Sequence, residues 1–390
     1  MKRIGVLLTS EPGGGAYQYT QTILDAVLAL PRDNYSIVAA YSDRLWIDKL
    51  GDRVDRLELG NSRWNRALNR AWHMTHLPVA EWRRSAAHLD TNIRALIAER
   101  ADLWVCPNHD RYAFRAPLPT LGTVHDLMHR YEPSFPEVSE DGEFARREFH
   151  FGETCRWANG VLVDSSLGKQ QLRESYGIEE GRVFVLPFIP PRYIFEYTDA
   201  SDARFESRYF VPRKFFFYPA QFYRHKNHRG LVEAISLMRE QYPDVRLVLV
   251  GSKERNGFAD VMSLVKEKGL EEHVLFMGYV PDADIPGFYK RARALVMPTF
   301  FGPTNIPPLE AFALGCPVAT SRIYGIPDQL GDAALLFDPR SVNEIRDCLV
   351  RLWTDDALCA EFAERGREHS RRWGPEQFAA RFREIVARLV

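Results

Sequence analysis

The sequence predicts an α/β protein of two open, doubly wound domains, and three observations carry that expectation. A chain of 390 residues exceeds what one hydrophobic core usually holds, about 250–300 residues. Two trains of short apolar runs alternate with longer amphipathic stretches, the pattern of strands joined by crossover helices in a mainly parallel sheet. Between the trains, Pro190, Pro191 and Pro212 stand among Asp, Ser and aromatic residues without a period, which reads as a linker.

In the first train the strand-like runs are Ile4–Thr9, Ser36–Tyr41, Leu103–Cys106, Thr120–Val124, Gly160–Asp164 and Val183–Leu186. Tyr19, Ile23, Leu24, Val27 and Leu28 recur at helical spacing between the first two. The second train reads Phe215–Pro219, Arg246–Val250, His273–Met277, Ala294–Met297, Val318–Ser321 and Ala334–Phe337. Amphipathic segments such as Leu231–Tyr242 and Asp260–Lys268 lie between these runs. After Trp373-Gly374 the tail places Phe378, Phe382, Ile385, Val386 and Leu389 at helical spacing, a final amphipathic helix with no strand to follow. The expected division is a first domain at 1–190, a linker at 191–213, a second domain at 214–372 and a terminal helix at 373–390.

Composition narrows the function. Hydrophobic residues at 45% and charged residues at 26% are those of a globular chain, which argues against disorder and coiled coil. Fifty-one basic against fifty-two acidic side chains leave net −1, so no wholesale electrostatic grip on nucleic acid is expected. Cys106, Cys155, Cys316, Cys348 and Cys359 are scattered without a C-x-x-C pair, which fits a reducing compartment better than a disulfide framework. The apolar run Ile4–Leu8 is too short for a signal peptide, and no stretch reaches the ~20 apolar residues of a membrane span. A soluble, cytoplasmic protein is expected.

Open parallel sheets bind ligands beyond the carboxyl ends of their strands, so residues just after strands are the candidates. Gly13-Gly14-Gly15 follows the first strand, and Gly14 and Gly15 would let backbone N–H groups approach a phosphate. A tight structural turn explains these glycines about as well. His125, in Thr123-Val124-His125-Asp126, is placed to contact a substrate hydroxyl or phosphate, or simply to cap the next helix. His129 a turn later invites a metal, but no third ligand is apparent, and no metal is expected.

Phe215–Pro219 is followed by Ala220 to His228, where Arg224 and Lys226 make an anion pocket suited to a diphosphate. Exposed loop cations are the ordinary alternative. After Ala294–Met297 comes a Gly/Pro-rich loop, Pro298 to Ala311, in which the N–H groups of Thr304, Asn305 and Ile306 point where an anion would sit. Glu310, inside the helix that follows, would oppose phosphate and suits the hydroxyls of a ribose. Asp282-Ala283-Asp284 looks like a metal-binding D-x-D, but it follows Gly278-Tyr279-Val280-Pro281 and opens a helix, so it reads as helix-start chemistry.

With these motifs in view, the chain resembles the retaining glycosyltransferases of family 4. That family carries E-G-F-G-L-P-x-L-E-A and then G-x-P-V, which align with Gly302 to Ala311 and with Gly315-Cys316-Pro317-Val318. Pro307, Leu309, Glu310 and Ala311 match, while Gly302 stands where the first glutamate is usual. The family's G-R-x-x-x-x-K-N is similar to Ala220 through Asn227, with Gln221 in the place of arginine and Arg224 three residues on. In the first half the resemblance runs through the glycine loop, His125-Asp126, and Val163-Asp164-Ser165-Ser166 with Lys169.

The resemblance implies two facing Rossmann-like domains, the GT-B arrangement, with a last helix crossing back to the first domain. It implies transfer of a sugar from a nucleoside-diphosphate sugar with retention at the anomeric carbon, without metal or cofactor. His125, Arg224 and Lys226 would be catalytic; Gly14, Gly15, Asn227, Tyr279, Thr304, Asn305, Ile306 and Glu310 would bind the donor. The expected acceptor is a glycan or lipid-linked saccharide in cell-surface polysaccharide synthesis. A small-metabolite glycosyltransferase, or a catalytically silent nucleotide-sugar-binding partner, are the alternatives, the latter raised by Gly302.

The stretch 61–100 bears on the acceptor. It holds seven arginines against three acidic residues, with Trp64, Trp72 and Trp82, and Trp64, Leu68 and Trp72 would share one helical face. Tryptophan beside arginine suits peripheral contact at the inner face of the cell membrane. An apolar stripe packed on the sheet, with solvated arginines behind it, is the alternative.

Overall fold

A computed structural model describes residues 1–51, 54–75, 77–253 and 257–390, which form two compact units. The first comprises 1–127, 144–187 and 375–390; the second comprises 128–143 and 188–374.

The first unit is built on a parallel sheet of β1 (Lys2–Leu8), β2 (Tyr35–Tyr41), β3 (Asp55–Glu58), β4 (Leu103–Val105), β5 (Thr120–Thr123), β6 (Gly160–Val163) and β7 (Val183–Val185). Their order is β3-β2-β1-β4-β5-β6-β7. The central strands are apolar throughout because helices cover both faces: Ile4, Val6, Val38, Leu103, Val105, Val161 and Leu162 are all buried. The strand order reverses between β1 and β4, the position at whose carboxyl ends open α/β sheets bind ligands. β3 was not expected from the sequence. It is short, mostly exposed and charged, as an edge strand that avoids pairing with other chains should be, and such a strand has no apolar run to find.

Helix Gly14–Leu28 begins at Gly13 and Gly14, with φ of +102° and +76°, values that a side chain would strain. Helix Pro375–Leu389 belongs to this unit. It packs against Gly14–Leu28 and buries Phe378, Phe382, Ile385 and Val386, the residues whose spacing announced it.

Segment 61–100 folds as helices Arg63–Thr75, Val79–Leu89 and Thr91–Ala98; residue 76 and the side chain of His73 lie outside the description. The expected tryptophan face divides. Trp72 and Trp82 are buried and stack at 5.1 Å, with the Arg115 guanidinium 4.4 Å above Trp72. Trp64 is 56% exposed, its indole N–H donating to the Leu89 carbonyl at 2.8 Å.

The second unit has a parallel sheet of β8 (Phe216–Pro219), β9 (Leu247–Val250), β10 (Val274–Phe276), β11 (Ala294–Met297), β12 (Val318–Ser321) and β13 (Leu335–Phe337), in the order β10-β9-β8-β11-β12-β13. The stretch read as a linker is largely part of this unit. Helix Asp199–Arg208 buries Phe205 against Phe288, ring centroids 4.8 Å apart. Asp284, fully buried, is held by Arg208 at 2.8 Å, Arg204 at 3.3 Å and the Tyr209 hydroxyl at 3.0 Å. The helix shows no apolar period because one phenylalanine does most of its packing.

A second departure lies in 128–143, which comes from the first half of the sequence but packs on the second unit. Met128 and Val138 cluster with Phe301, flanked by Tyr131, Phe135 and Tyr324.

Candidate functional site

In the second unit, the chain leaves β8 and forms a single turn at Arg224–Lys226. The Tyr218 hydroxyl donates to the Lys226 carbonyl at 2.9 Å and pins the turn to the strand. Lys226 is half-buried and Arg224 exposed. Asn227 adopts φ +56°, a left-handed position asparagine tolerates, and caps helix His228–Met238. Its side chain accepts from the Gly230 N–H at 3.1 Å and donates to the Pro339 carbonyl at 2.9 Å. Both ends of the side chain are therefore engaged within the protein, and a donor would have to compete with these bonds or meet the backbone.

The two cations diverge. Arg224 lines a cavity of about 570 Å³ with Arg229, Arg340, Phe135 and Phe300, and Lys226, Thr304 and Glu310 are not in its wall. Sequence reasoning missed a carboxylate here. Glu137 accepts a hydrogen bond from the Arg224 backbone N–H and lies 3.4 Å from the His225 imidazole. Burial works against its anion, but the hydrogen bonds from His225 and the backbone outweigh that and keep its carboxyl below the usual range. Nothing local in the sequence could have placed Glu137, 87 residues away, beside Arg224. Gln221, in the place of the expected arginine, accepts from the Ser252 N–H at 3.3 Å and ties this turn to the loop after β9.

After β11, Gly302 has φ +144°, and a Cβ there would stand 2.5 Å from Asn305 Nδ2. A side chain at 302 would strain this loop conformation and would require the Asn305 side chain to move. The Asn305 N–H, expected to face an anion, donates to Gln329 Oε1 at 2.9 Å, and Gln329 Nε2 donates back to the Asn305 carbonyl at 2.8 Å. That amide is occupied. The Asn305 side-chain Nδ2 is buried without a hydrogen-bond partner and is a spare donor in the loop. Helix Pro307–Ala313 is seven residues long, so its dipole contributes little beyond its first turn.

Glu310 is 5% exposed and receives Tyr193 OH at 2.5 Å on one oxygen and Tyr289 OH at 2.7 Å on the other. Burial raises its pKa, and the two phenols oppose the rise. A ribose hydroxyl would have to share these oxygens with the tyrosines. Tyr279, by contrast, is 67% exposed at the end of the β10 segment.

In the first unit, Gly14 and Gly15 are exposed after β1. His125 follows β5 with Tyr19 at 4.9 Å edge-on and His109 at 5.1 Å. Burial pushes its pKa down to about 4, so the imidazole is neutral near pH 7. Asp126 forms an ion pair with Arg147. His129, in the 128–143 segment of the second unit, is fully buried. Ser165 caps helix Ser166–Tyr176 by accepting from the Gly168 N–H at 3.0 Å, and Lys169 pairs with Glu180 at 3.3 Å.

Two residues at the β1–β4 reversal were missed, His109 and Asp110. They follow the run Leu103–Cys106, so the strand-end rule already pointed to them. Asp110 is 7% exposed; one oxygen accepts from the Thr9 hydroxyl and the other has no hydrogen-bond partner. Burial raises its pKa to about 7, against the Thr9 hydrogen bond.

Two parallel, doubly wound sheets with polar groups gathered at their strand ends define the GT-B class of fold, and solved structures agree. Sucrose-phosphate synthase from Thermosynechococcus elongatus superimposes with a TM-score of 0.73 at 18% identity, covering 100% of this chain and 99% of that one. Anabaena HepE in complex with UDP-glucose gives 0.73 at 17% identity, covering 99% and 100%. Residues 171–369 match the family described as Glycosyl transferases group 1, and the chain belongs to that family.

Relatives extend the picture. O-antigen chain mannosyltransferase B of Escherichia coli is 36% identical over 137 residues, 34% of this chain and 35% of that protein. Serotype-specific mannosyltransferase WbdA of Escherichia coli is 26% identical over 259 residues, 64% of this chain and 31% of that protein. Mannosylfructose-phosphate synthase of Agrobacterium fabrum is 24% identical over 277 residues, 65% of this chain and 60% of that protein. The matches span about a third of the two mannosyltransferases.

Proposed function

We propose that the protein transfers a sugar from a nucleoside-diphosphate sugar to a glycan or lipid-linked saccharide with retention at the anomeric carbon, in cell-surface polysaccharide synthesis. The observation that carries the reading is the turn after β8, where a half-buried Lys226 stands beside a backbone pinned by Tyr218. A cation carried on a pinned turn at a strand end can stabilise the diphosphate as it leaves and the sugar becomes oxocarbenium-like. Lys226 and the Asn305 side chain serve the leaving group, Glu310 the ribose and Tyr279 the base. His125 offers a neutral imidazole to the sugar. The leaving phosphate takes the acceptor's proton on the same face, and no metal is needed.

The mannosyltransferase relatives favour a saccharide acceptor, and helix Arg63–Thr75 favours a lipid-linked one. Arg63, Arg66 and Arg70 are exposed on it, with Trp64 and Met74, while Leu77 just beyond is exposed as well. An outward face of that composition suits peripheral contact with an anionic bilayer. Among the described residues no helix is long and apolar enough to cross a membrane.

The test is nucleoside diphosphate release from a panel of UDP- and GDP-sugars, with and without EDTA. Release that EDTA leaves unchanged supports the reading. Binding of every donor without release indicates a silent partner protein, and activity abolished by EDTA refutes the metal-free mechanism.

A further inference from the structure

The cavity beside Arg224 lies wholly within the second unit and takes no part in the proposed chemistry, since Lys226, Tyr279, Thr304 and Glu310 are absent from its wall. Its volume of about 570 Å³ falls within the roughly 300–1,000 Å³ of small-molecule sites. Three helices begin in that wall. His228–Met238 contributes Asn227 to Gly230, Gly257–Glu267 contributes Gly257 and Asp260, and Val342–Thr354 contributes Val342 after Pro339 and Arg340. Each brings the partial positive charge of a helix N-terminus. Among the described residues the wall also carries three arginines, Arg224, Arg229 and Arg340, and two carboxylates, Glu233 and Asp260. The arginines are not spent on those carboxylates. Among the described residues the Arg224 guanidinium has no partner, Arg229 reaches the Asp260 carbonyl at 3.5 Å, and Arg340 lies 3.8 Å from Glu132.

Exposed arginines alone would be an ordinary solvated surface, but the same wall holds a buried polar group. His228 is 2% exposed, with Phe222 stacked on its ring at 4.3 Å and Tyr218 at 4.8 Å. A hydrogen bond to the Ala220 backbone occupies one ring nitrogen, while Nε2 is buried without a hydrogen-bond partner. Burial pushes its pKa down to about 3, so the ring is neutral and Nε2 is an acceptor. An acceptor stripped of water costs free energy that a hydroxyl of a ligand would recover. The wall thus offers two kinds of partner. Arginines and helix N-termini suit a phosphate. Nε2, Glu233 and Asp260 accept from hydroxyls, and the half-buried rings of Phe135 and Phe300 give apolar surface to a sugar ring. Inorganic phosphate would use only the first set, and an uncharged sugar only the second.

We propose that this cavity is a small-molecule site separate from the donor site, and that it binds a phosphorylated sugar, with the phosphate among the arginines and a hydroxyl on His228 Nε2. The site stands on the second unit alone and does not depend on the glycosyltransferase reading.

The test is calorimetric titration of the full chain with D-glucose 6-phosphate and D-mannose 6-phosphate, with inorganic phosphate and D-glucose as controls. The wild type is expected to bind at least one hexose phosphate, and to bind it more tightly than either control. The double variant Arg229→Gln/Arg340→Gln should weaken that binding at least tenfold. His228→Phe, which keeps a ring against Phe222 but removes Nε2, should weaken it less, and circular dichroism checks that the variants fold. Absence of binding by both hexose phosphates overturns the proposal, as does equal affinity in wild type and the double variant. Inorganic phosphate binding as tightly as the hexose phosphates overturns the assignment of the sugar. Lys226→Ala separates the two sites: it should leave hexose phosphate binding unchanged, and loss of that binding would place the ligand at Lys226 instead. UDP and GDP titrated into the same samples separate this proposal from the glycosyltransferase reading. Nucleotide binding without hexose phosphate binding removes this site and keeps that reading, and the converse result keeps this site and removes that reading.

Discussion

Replacing Lys226 by alanine tests the division of labour that the structure draws between two neighbouring cations. Lys226 is half-buried, so solvent screens its charge only in part, and the Tyr218 hydroxyl fixes the backbone of its turn through the Lys226 carbonyl at 2.9 Å. A positioned donor to a developing oxyanion contributes roughly 10²–10³ in rate. Lys226→Ala should therefore lower kcat/KM by about a hundredfold or more, about 2.7 kcal/mol of transition-state stabilisation. Arg224 is exposed, lines the flanking cavity and stands beside the Glu137 carboxylate. A cation in that position is worth at most about 1 kcal/mol, so Arg224→Ala should cost no more than about fivefold. Lys226→Arg should recover part of the loss, because a planar fork replaces a point charge imperfectly. Lys253, exposed after β9, is the control and should be neutral. The assay is initial-rate nucleoside diphosphate release from the preferred donor. An Arg224→Ala defect equal to or larger than that of Lys226→Ala would refute the placement of the diphosphate at Lys226.

Three further outcomes follow from the same geometry. Glu310→Gln should weaken nucleotide binding in calorimetry while leaving binding of a free sugar phosphate unchanged; equal nucleotide affinity would remove Glu310 from the ribose. His125 and His150, held near pKa of about 4 by burial, protonate near 6.5 once unfolded, so the unfolded state takes up more protons between those values. Their contribution is complete above about pH 6.5 and is lost as pH falls toward 4, so the melting temperature should drop over that range; a flat profile contradicts their burial. Asp110 has the opposite sign: its folded pKa of about 7 lies above the ordinary value of 3.8, so stability is lost as pH rises from about 4 to about 7. Asp110→Asn should thus gain in melting temperature over wild type between about pH 4 and pH 8.5, by several degrees; a gap that does not widen with pH would show that the carboxyl titrates normally.

How much of this was legible in the sequence depended on whether a residue's role was local. The twelve apolar runs of the two trains are all strands, because a strand covered on both faces must be apolar throughout. β3 escaped notice because Asp55–Glu58 lies at an exposed edge. Helix Asp199–Arg208 escaped because Phe205 alone reaches deep into the core. The strand-end rule singles out His125 and Lys226 as candidates and, applied after Leu103–Cys106, would have added Asp110 to them.

Roles set by contacts distant in sequence were not legible. Asn227 looks like a phosphate ligand in its motif, but Gly230 and Pro339 use both ends of its side chain. The Asn305 amide looks free until Gln329 is seen to bind it, and Glu310 looks open until Tyr193 and Tyr289 are placed. Glu137 reaches Arg224 because 128–143 packs on the second unit, which no periodicity announces. Gly302, a departure from the family motif, became intelligible only from its φ of +144° and the nearby Asn305 side chain.

The most direct measurement is the anomeric configuration of the sugar released when the enzyme hydrolyses its donor, followed by proton NMR before mutarotation. From an α-linked nucleoside-diphosphate sugar, the account predicts that the α-anomer appears first, in the presence of EDTA, and that Lys226→Ala slows its appearance about a hundredfold. First appearance of the β-anomer would contradict same-face transfer, and release that Lys226→Ala leaves unchanged would contradict the assignment of the leaving-group site.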